Sequence, residues 1–99
     1  MVYEIIFKKR FRNKLEKVFY YIENEFGYRV AQKFAEKLDE KFKNIQKQPY
    51  IGIKSDVFQS VRSISAGKQN RIYYRIEGNK LIVLNMYDTR INPIKNQFK

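Results

Sequence analysis

The sequence contains neither cysteine nor histidine. Without cysteine there is no disulfide, no iron–sulfur cluster, no thiolate zinc site and no cysteine nucleophile. Without histidine, a Ser-His-Asp triad, an imidazole general base and a histidine-ligated metal are all impossible. Most familiar hydrolytic chemistry is excluded, and neither a metal nor a cofactor is expected. Only four glycines occur, and none has the spacing of a phosphate-binding loop. No apolar run approaches the ~18–20 residues of a membrane span, and no apolar h-region follows a basic start. The chain therefore reads as cytoplasmic, without a membrane partner.

What is abundant is positive charge. Twenty-one Lys and Arg stand against ten Asp and Glu, a net charge of +11 over 99 residues. Residues 1–50 carry twelve basic and seven acidic side chains, and residues 51–99 carry nine and three, so neither half is a detachable basic tail. The apolar content of 43% and aromatic content of 16% supply one core, and the expectation is a single domain over 1–99. A folded domain so basic is expected to meet polyanions or an acidic protein. The plainer alternative is a merely soluble surface.

The hydrophobic period changes along the chain. Val2 to Phe7 is β-branched and aromatic and reads as a first strand. Phe11, Leu15, Val18, Phe19, Ile22 and Phe26 then fall on one helical stripe, which Gly27 stops. Ala31, Phe34, Ala35, Leu38, Phe42 and Ile45 form a second stripe that ends before Pro49, so the two helices make a hairpin. An irregular stretch from Gln48 to about Gln59 leads into strand-like runs at Ser60 to Ser65, Asn70 to Glu77 and Lys80 to Tyr87. Gly78-Asn79 is a hairpin signal because both residues tolerate positive φ. Both parities of the last run are apolar, which predicts a central strand. The fold class is α+β: an N-terminal strand, a helical hairpin and an antiparallel meander in two layers.

The strongest constellation lies on the meander. Ile72, Tyr74 and Ile76 alternate with Arg71, Tyr73 and Arg75, so one face packs under the helices and the other is expected to be open, basic and aromatic. Arg62 on the preceding strand and Arg90 after the last one join the set. Arginine matches phosphate or carboxylate with a planar fork, and tyrosine adds a stacking ring and a hydroxyl. Such interleaving suits single-stranded nucleic acid; the alternative is a solvated face whose arginines lie over tyrosines. Six cations, Lys8, Lys9, Arg10, Arg12, Lys14 and Lys17, are a second feature. Arg10, Lys14 and Lys17 share one helical side, either a phosphate track or a polar exposed face. Asp88 is expected to anchor Arg90 or cap a turn rather than catalyse.

In this order and spacing the chain resembles the RelE/ParE superfamily of toxins from type II toxin–antitoxin modules, often described as plasmid stabilisation proteins. The resemblance rests on Tyr21-Ile22 before Phe26-Gly27, Ala31, Phe34 to Leu38, Pro49, Gly52, Val61-Arg62, Arg71-Ile72-Tyr73-Tyr74-Arg75, the Gly78 turn, Ile82-Val83-Leu84, and Arg90 to Pro93. It implies a growth-inhibiting toxin neutralised by an acidic antitoxin. RelE-like members cleave mRNA on the ribosome, and Arg71 and Arg90 look like their phosphate-holding positions. ParE-like members poison DNA gyrase, and Phe26-Gly27 and Val61-Arg62 look more like that side.

Departures weaken the cleavage reading. Ser63 and Ser65 stand where RelE-like enzymes carry lysines, and Ile94 to Lys99 holds neither Tyr nor His. RNA cleavage needs a base, an acid and cations for the phosphorane. Arginine serves only the last role, which leaves Tyr73 or Tyr87 for the others. The target reading is gyrase or an unassigned one, with ribosome-dependent cleavage as the alternative and a non-toxic nucleic-acid-binding module as a further one.

Overall fold

The computed structural model describes residues 2–58, 60–67 and 69–88. The elements are β1 (Glu4–Phe7), α1 (Lys9–Phe26), α2 (Tyr28–Lys47), β2 (Ile53–Lys54), β3 (Val61–Ser65), β4 (Asn70–Glu77) and β5 (Lys80–Asp88). A 3-10 turn, Pro49–Ile51, links α2 to β2. The fold is α+β, as the patterning predicts. The strands form one sheet in the order β1-β5-β4-β3-β2. It is mixed rather than a pure meander, because β1 runs parallel to β5 while the other pairs are antiparallel. A parallel pair needs a long crossover, and the helical hairpin supplies it.

One residue separates the helices. Gly27 has φ of 93°, a conformation glycine adopts freely. Its amide donates to the Glu23 carbonyl at 2.9 Å and closes α1. The two stripes are only partly buried. Phe11 on α1 and Ala31, Leu38, Phe42 and Ile45 on α2 are buried, but Phe26 is 62% exposed and Ala35 is exposed too. The cause lies in the core itself. Its cluster takes α1 residues only as far as Val18 and, apart from the buried Ala31, α2 residues from Phe34 onward. The distal end of the hairpin overhangs it.

On the sheet side the core consists of Ile72, Tyr74, Leu81, Val83 and Met86. Phe7 ties β1 to both helices, its ring 5.6 Å from Phe11 and 5.1 Å from Phe42. β5 is indeed internal, lying between β1 and β4. Its mixed parity has a local cause as well: an extra residue bulges out, so that Tyr73 faces Asn85 while Tyr74 faces Val83. A bulge reverses the alternation, which lets Val83 and Met86 share the core side. At the Gly78-Asn79 turn only Gly78 takes positive φ, at 59°.

The stretch expected to be irregular is ordered by β4. Tyr74, 0% exposed, donates its hydroxyl hydrogen to the Pro49 carbonyl at 2.6 Å and accepts the Gly52 amide at 3.2 Å. A side chain on Gly52 would run into the Tyr74 hydroxyl and the Ser63 carbonyl, so glycine is required for the close approach.

Candidate target-binding face

Cross-strand partners share a face of a sheet, and this separates the predicted residues. Arg71 stands opposite Ser65 and Tyr87, Tyr73 opposite Ser63 and Asn85, and Arg75 opposite Val61 and Ile82. These form the face away from the helices. Arg62 does not belong to it. Its partner is Tyr74, and Arg62 lies on the helix side, where Nη1 donates to the carbonyls of Tyr50 at 3.1 Å and Gly52 at 2.9 Å. The guanidinium also sits 5.0 Å from the Tyr50 ring centroid. It is a structural clamp on the connection, contrary to the sequence expectation. Arg90 lies outside the described residues, and with it the expected Asp88–Arg90 contact.

The outer face is less open than expected. Tyr73 is only 5% exposed and packs with Val61, Leu84 and Tyr87 in a second small cluster. Its ring meets that of Tyr87 edge-on, 6.0 Å between centroids. Aromatics and β-branched side chains on adjacent strands bury each other in this way. Tyr73 thus has no free ring for stacking on a base. Tyr87 is half-buried and its hydroxyl accepts the Asn85 side-chain amide at 3.3 Å.

Of the predicted cations, Arg71 and Arg75 lie on this face, and they differ. Arg75 is paired with Glu77 at 2.7 Å. Among the described residues no carboxylate pairs with Arg71; its Nε donates to Ser63 Oγ at 3.1 Å and its Nη2 to the Ser63 carbonyl at 3.4 Å. The serine holds the fork in place and leaves its charge uncompensated. Ser63 was not singled out as a site residue from the sequence, and neither was Lys41 on α2, whose Nζ reaches Ser65 Oγ at 3.1 Å. Ser63 had a weak signal in the parity of Val61, Ser63 and Ser65; Lys41 had none, since only the packing of α2 brings it there. On α1, Lys17 is exposed and Lys14 half-buried, and both rim a groove beside the hairpin. No group of three or more metal-binding side chains occurs among the described residues, and no helix there is long and apolar enough to cross a membrane.

Comparison with known proteins finds a family match for the sequence and fold matches for the structure. A family model described as the ParE toxin of the type II toxin–antitoxin system, parDE, matches residues 5–90. Among solved structures, the chromosomal ParDE toxin–antitoxin system of P. aeruginosa aligns with TM-score 0.74 at 14% identity, covering 90% of this chain and 98% of that one. A mutant of E. coli toxin RelE in the free state gives 0.67 at 17% identity, covering 99% and 95%. The toxin–antitoxin complex RelBE2 of Mycobacterium tuberculosis gives 0.63 at 17%, covering 89% and 99%. These likenesses are of fold. No curated protein matches the chain.

Proposed function

The chain belongs to the ParE toxin family of type II toxin–antitoxin systems, and from that membership and the geometry of the outer face we propose that it arrests growth by inhibiting DNA gyrase and is held inactive by an acidic antitoxin. The observation that carries the choice of target is the state of the two candidate tyrosines. Tyr73 is buried, and only Tyr87 is part-exposed. A phenol hydroxyl is a weak proton acceptor, and cleavage needs a second group to protonate the leaving oxygen. Arg71 supplies charge and orientation, which suits docking on a target as well as it suits a phosphorane. Plasmid stabilisation and action in the cytoplasm follow from this reading.

The antitoxin reading rests on charge and on an apolar groove. Between the overhanging hairpin and the start of β4 lies a groove of about 700 Å3 lined by Tyr21, Ile22, Phe26 and Val30, with Lys14 and Lys17 at its rim. A segment with apolar anchors and flanking carboxylates fits it. Such a segment is disordered when free and steers in over long range. Its association rate should fall steeply with salt, because the Debye length shrinks from ~10 Å at 0.1 M to ~3 Å at 1 M. Its dissociation rate should change far less.

The experiment on target is a paired assay with one preparation. Purified toxin added to gyrase and relaxed plasmid should lower supercoiling, while translating ribosomes should yield intact mRNA. Cutting at the A-site codon that disappears in Arg71→Ala would replace this reading with the RelE-like one. Normal growth at verified soluble expression would leave only a nucleic-acid-binding module.

A further inference from the structure

Two grooves flank α1, and their rims differ in charge. The one beside the start of β4 carries Lys14 and Lys17. The other, of about 750 Å3, lies between α1 and α2 and takes every lining residue from these two helices. Its apolar lining includes Leu15, Phe19, Phe34, Leu38 and Phe42. Its charged members are Arg12, Glu16, Glu23 and Asp39, one cation against three carboxylates on a chain of net charge +11. Ala35 in this groove is exposed, and so is Tyr20, at 55%. A short side chain among larger apolar ones lets a neighbouring helix approach closely.

The charges have a direction along α1. Arg12 stands near the start of the helix and Glu23 near its end, about three turns away. The α1 lining is centred between residues 17 and 18, and the α2 lining, Phe34 to Phe42, on Leu38. Both centres stand about three turns from the Gly27 reversal, so they are level. A two-fold axis through them, lying in the plane of the face and across the helices, lays each helix antiparallel on its own copy. Arg12 then meets Glu23 of the second copy, and Leu15 meets Tyr20. Asp39 comes near its own copy at the axis, but its pairing with Lys43 at 3.0 Å offsets that repulsion. The face is thus complementary to itself, as a closed two-fold interface requires.

We infer that this groove is where two copies of the chain pair, hairpin against hairpin. Helices of 18 and 20 residues are ~27–30 Å long and ~10 Å wide, so the face offers roughly 550 Å2 per copy, at the lower end of specific interfaces. A dimer dissociating at about 1–100 μM fits that area. The pairing goes beyond the toxin reading and does not rest on it. It shares only Phe34 with the groove assigned to the antitoxin, so each copy keeps that groove open.

The test is sedimentation equilibrium of the full chain at about 0.15 M salt, where a Debye length of ~8 Å limits the repulsion between the two net charges. Wild type is compared with Arg12→Glu, Glu23→Arg, the double exchange, Ala35→Glu and Lys33→Glu. Lys33 is exposed and does not line the groove. Each single reversal at Arg12 or Glu23 turns two attractive contacts per dimer into repulsive ones and should weaken pairing about tenfold, while the double exchange restores it. Ala35→Glu should abolish pairing, because it buries an unpaired charge in the seam. Lys33→Glu, which lowers the net charge as much as Arg12→Glu does, should leave the dimer no weaker than wild type. A monomer at every concentration would overturn the proposal, as would a dimer that all five variants leave unchanged. A monomer whose antitoxin binding fails in Ala35→Glu would assign the groove to the antitoxin and overturn it equally.

Discussion

Arg62 and Arg71 belong to adjacent strands of one ladder, yet Arg62 shares its face with Tyr74 and Arg71 shares its face with Tyr87. On the helix side the guanidinium of Arg62 is consumed by the carbonyls of Tyr50 and Gly52. On the outer side Arg71 rests on Ser63 with no carboxylate partner among the described residues. The difference teaches that residue type does not decide between structural and functional use of a cation. The side facing the core must satisfy every buried polar group, so an arginine there is drawn into the connection. The outer side carries no such demand, and a charge held there is available to a partner.

The comparison can be broken most forcefully at Gly52. Gly52→Ala would drive a methyl group into the Tyr74 hydroxyl and the Ser63 carbonyl. Overpacking together with a lost buried hydrogen bond should lower stability by about 3 kcal/mol, read by urea unfolding. An unchanged midpoint would show that the connection is not clamped.

Tyr74→Phe should have the next largest effect. It strips the Pro49 carbonyl and the Gly52 amide of their partner, at about 2 kcal/mol for groups left unsatisfied in the interior. Burial pushes the Tyr74 hydroxyl above its ordinary value of about 10, opposed in part by the Gly52 N–H and then by the Arg62 charge. The folded state therefore holds this proton more tightly than the unfolded chain. The stabilisation is complete below the unfolded value and is lost as pH rises through the folded one. The gap between wild type and Tyr74→Phe should accordingly stay constant up to about pH 10 and narrow only above it, measured by the same unfolding curves. A constant gap would mean that burial does not hold the proton.

The two arginines themselves sharpen the contrast. Arg62→Met should cost about 1 kcal/mol, because its carbonyl partners regain water on the exposed side. Arg71→Met should change stability by less than about 0.5 kcal/mol, as surface substitutions do. Its effect should appear in growth arrest instead, which should weaken while Arg62→Met toxin at matched soluble levels still arrests growth. The reverse pattern would exchange the roles assigned to the two faces.

The sequence by itself determined the local periodicities. Phe11 to Val18 and Leu38 to Ile45 declare helices through their spacing, Ile72, Tyr74 and Ile76 declare the buried parity of β4, and Gly27 and Gly78 mark the two sharpest reversals. Those features depend on neighbours within a few residues. Alternation along one strand says which side chains agree with one another; it does not say which face of the next strand they join. That requires the β3–β4 register, which long-range pairing and packing set. Arg62 was therefore legible as an arginine on a strand and not as a clamp. For the same reason the burial of Tyr73 and the meeting of Lys41 with Ser65 had no trace in the sequence, and the bulge in β5 showed only as a mixed parity with no position. Each depends on residues distant along the chain that only the packing of the helical hairpin on the sheet brings within contact.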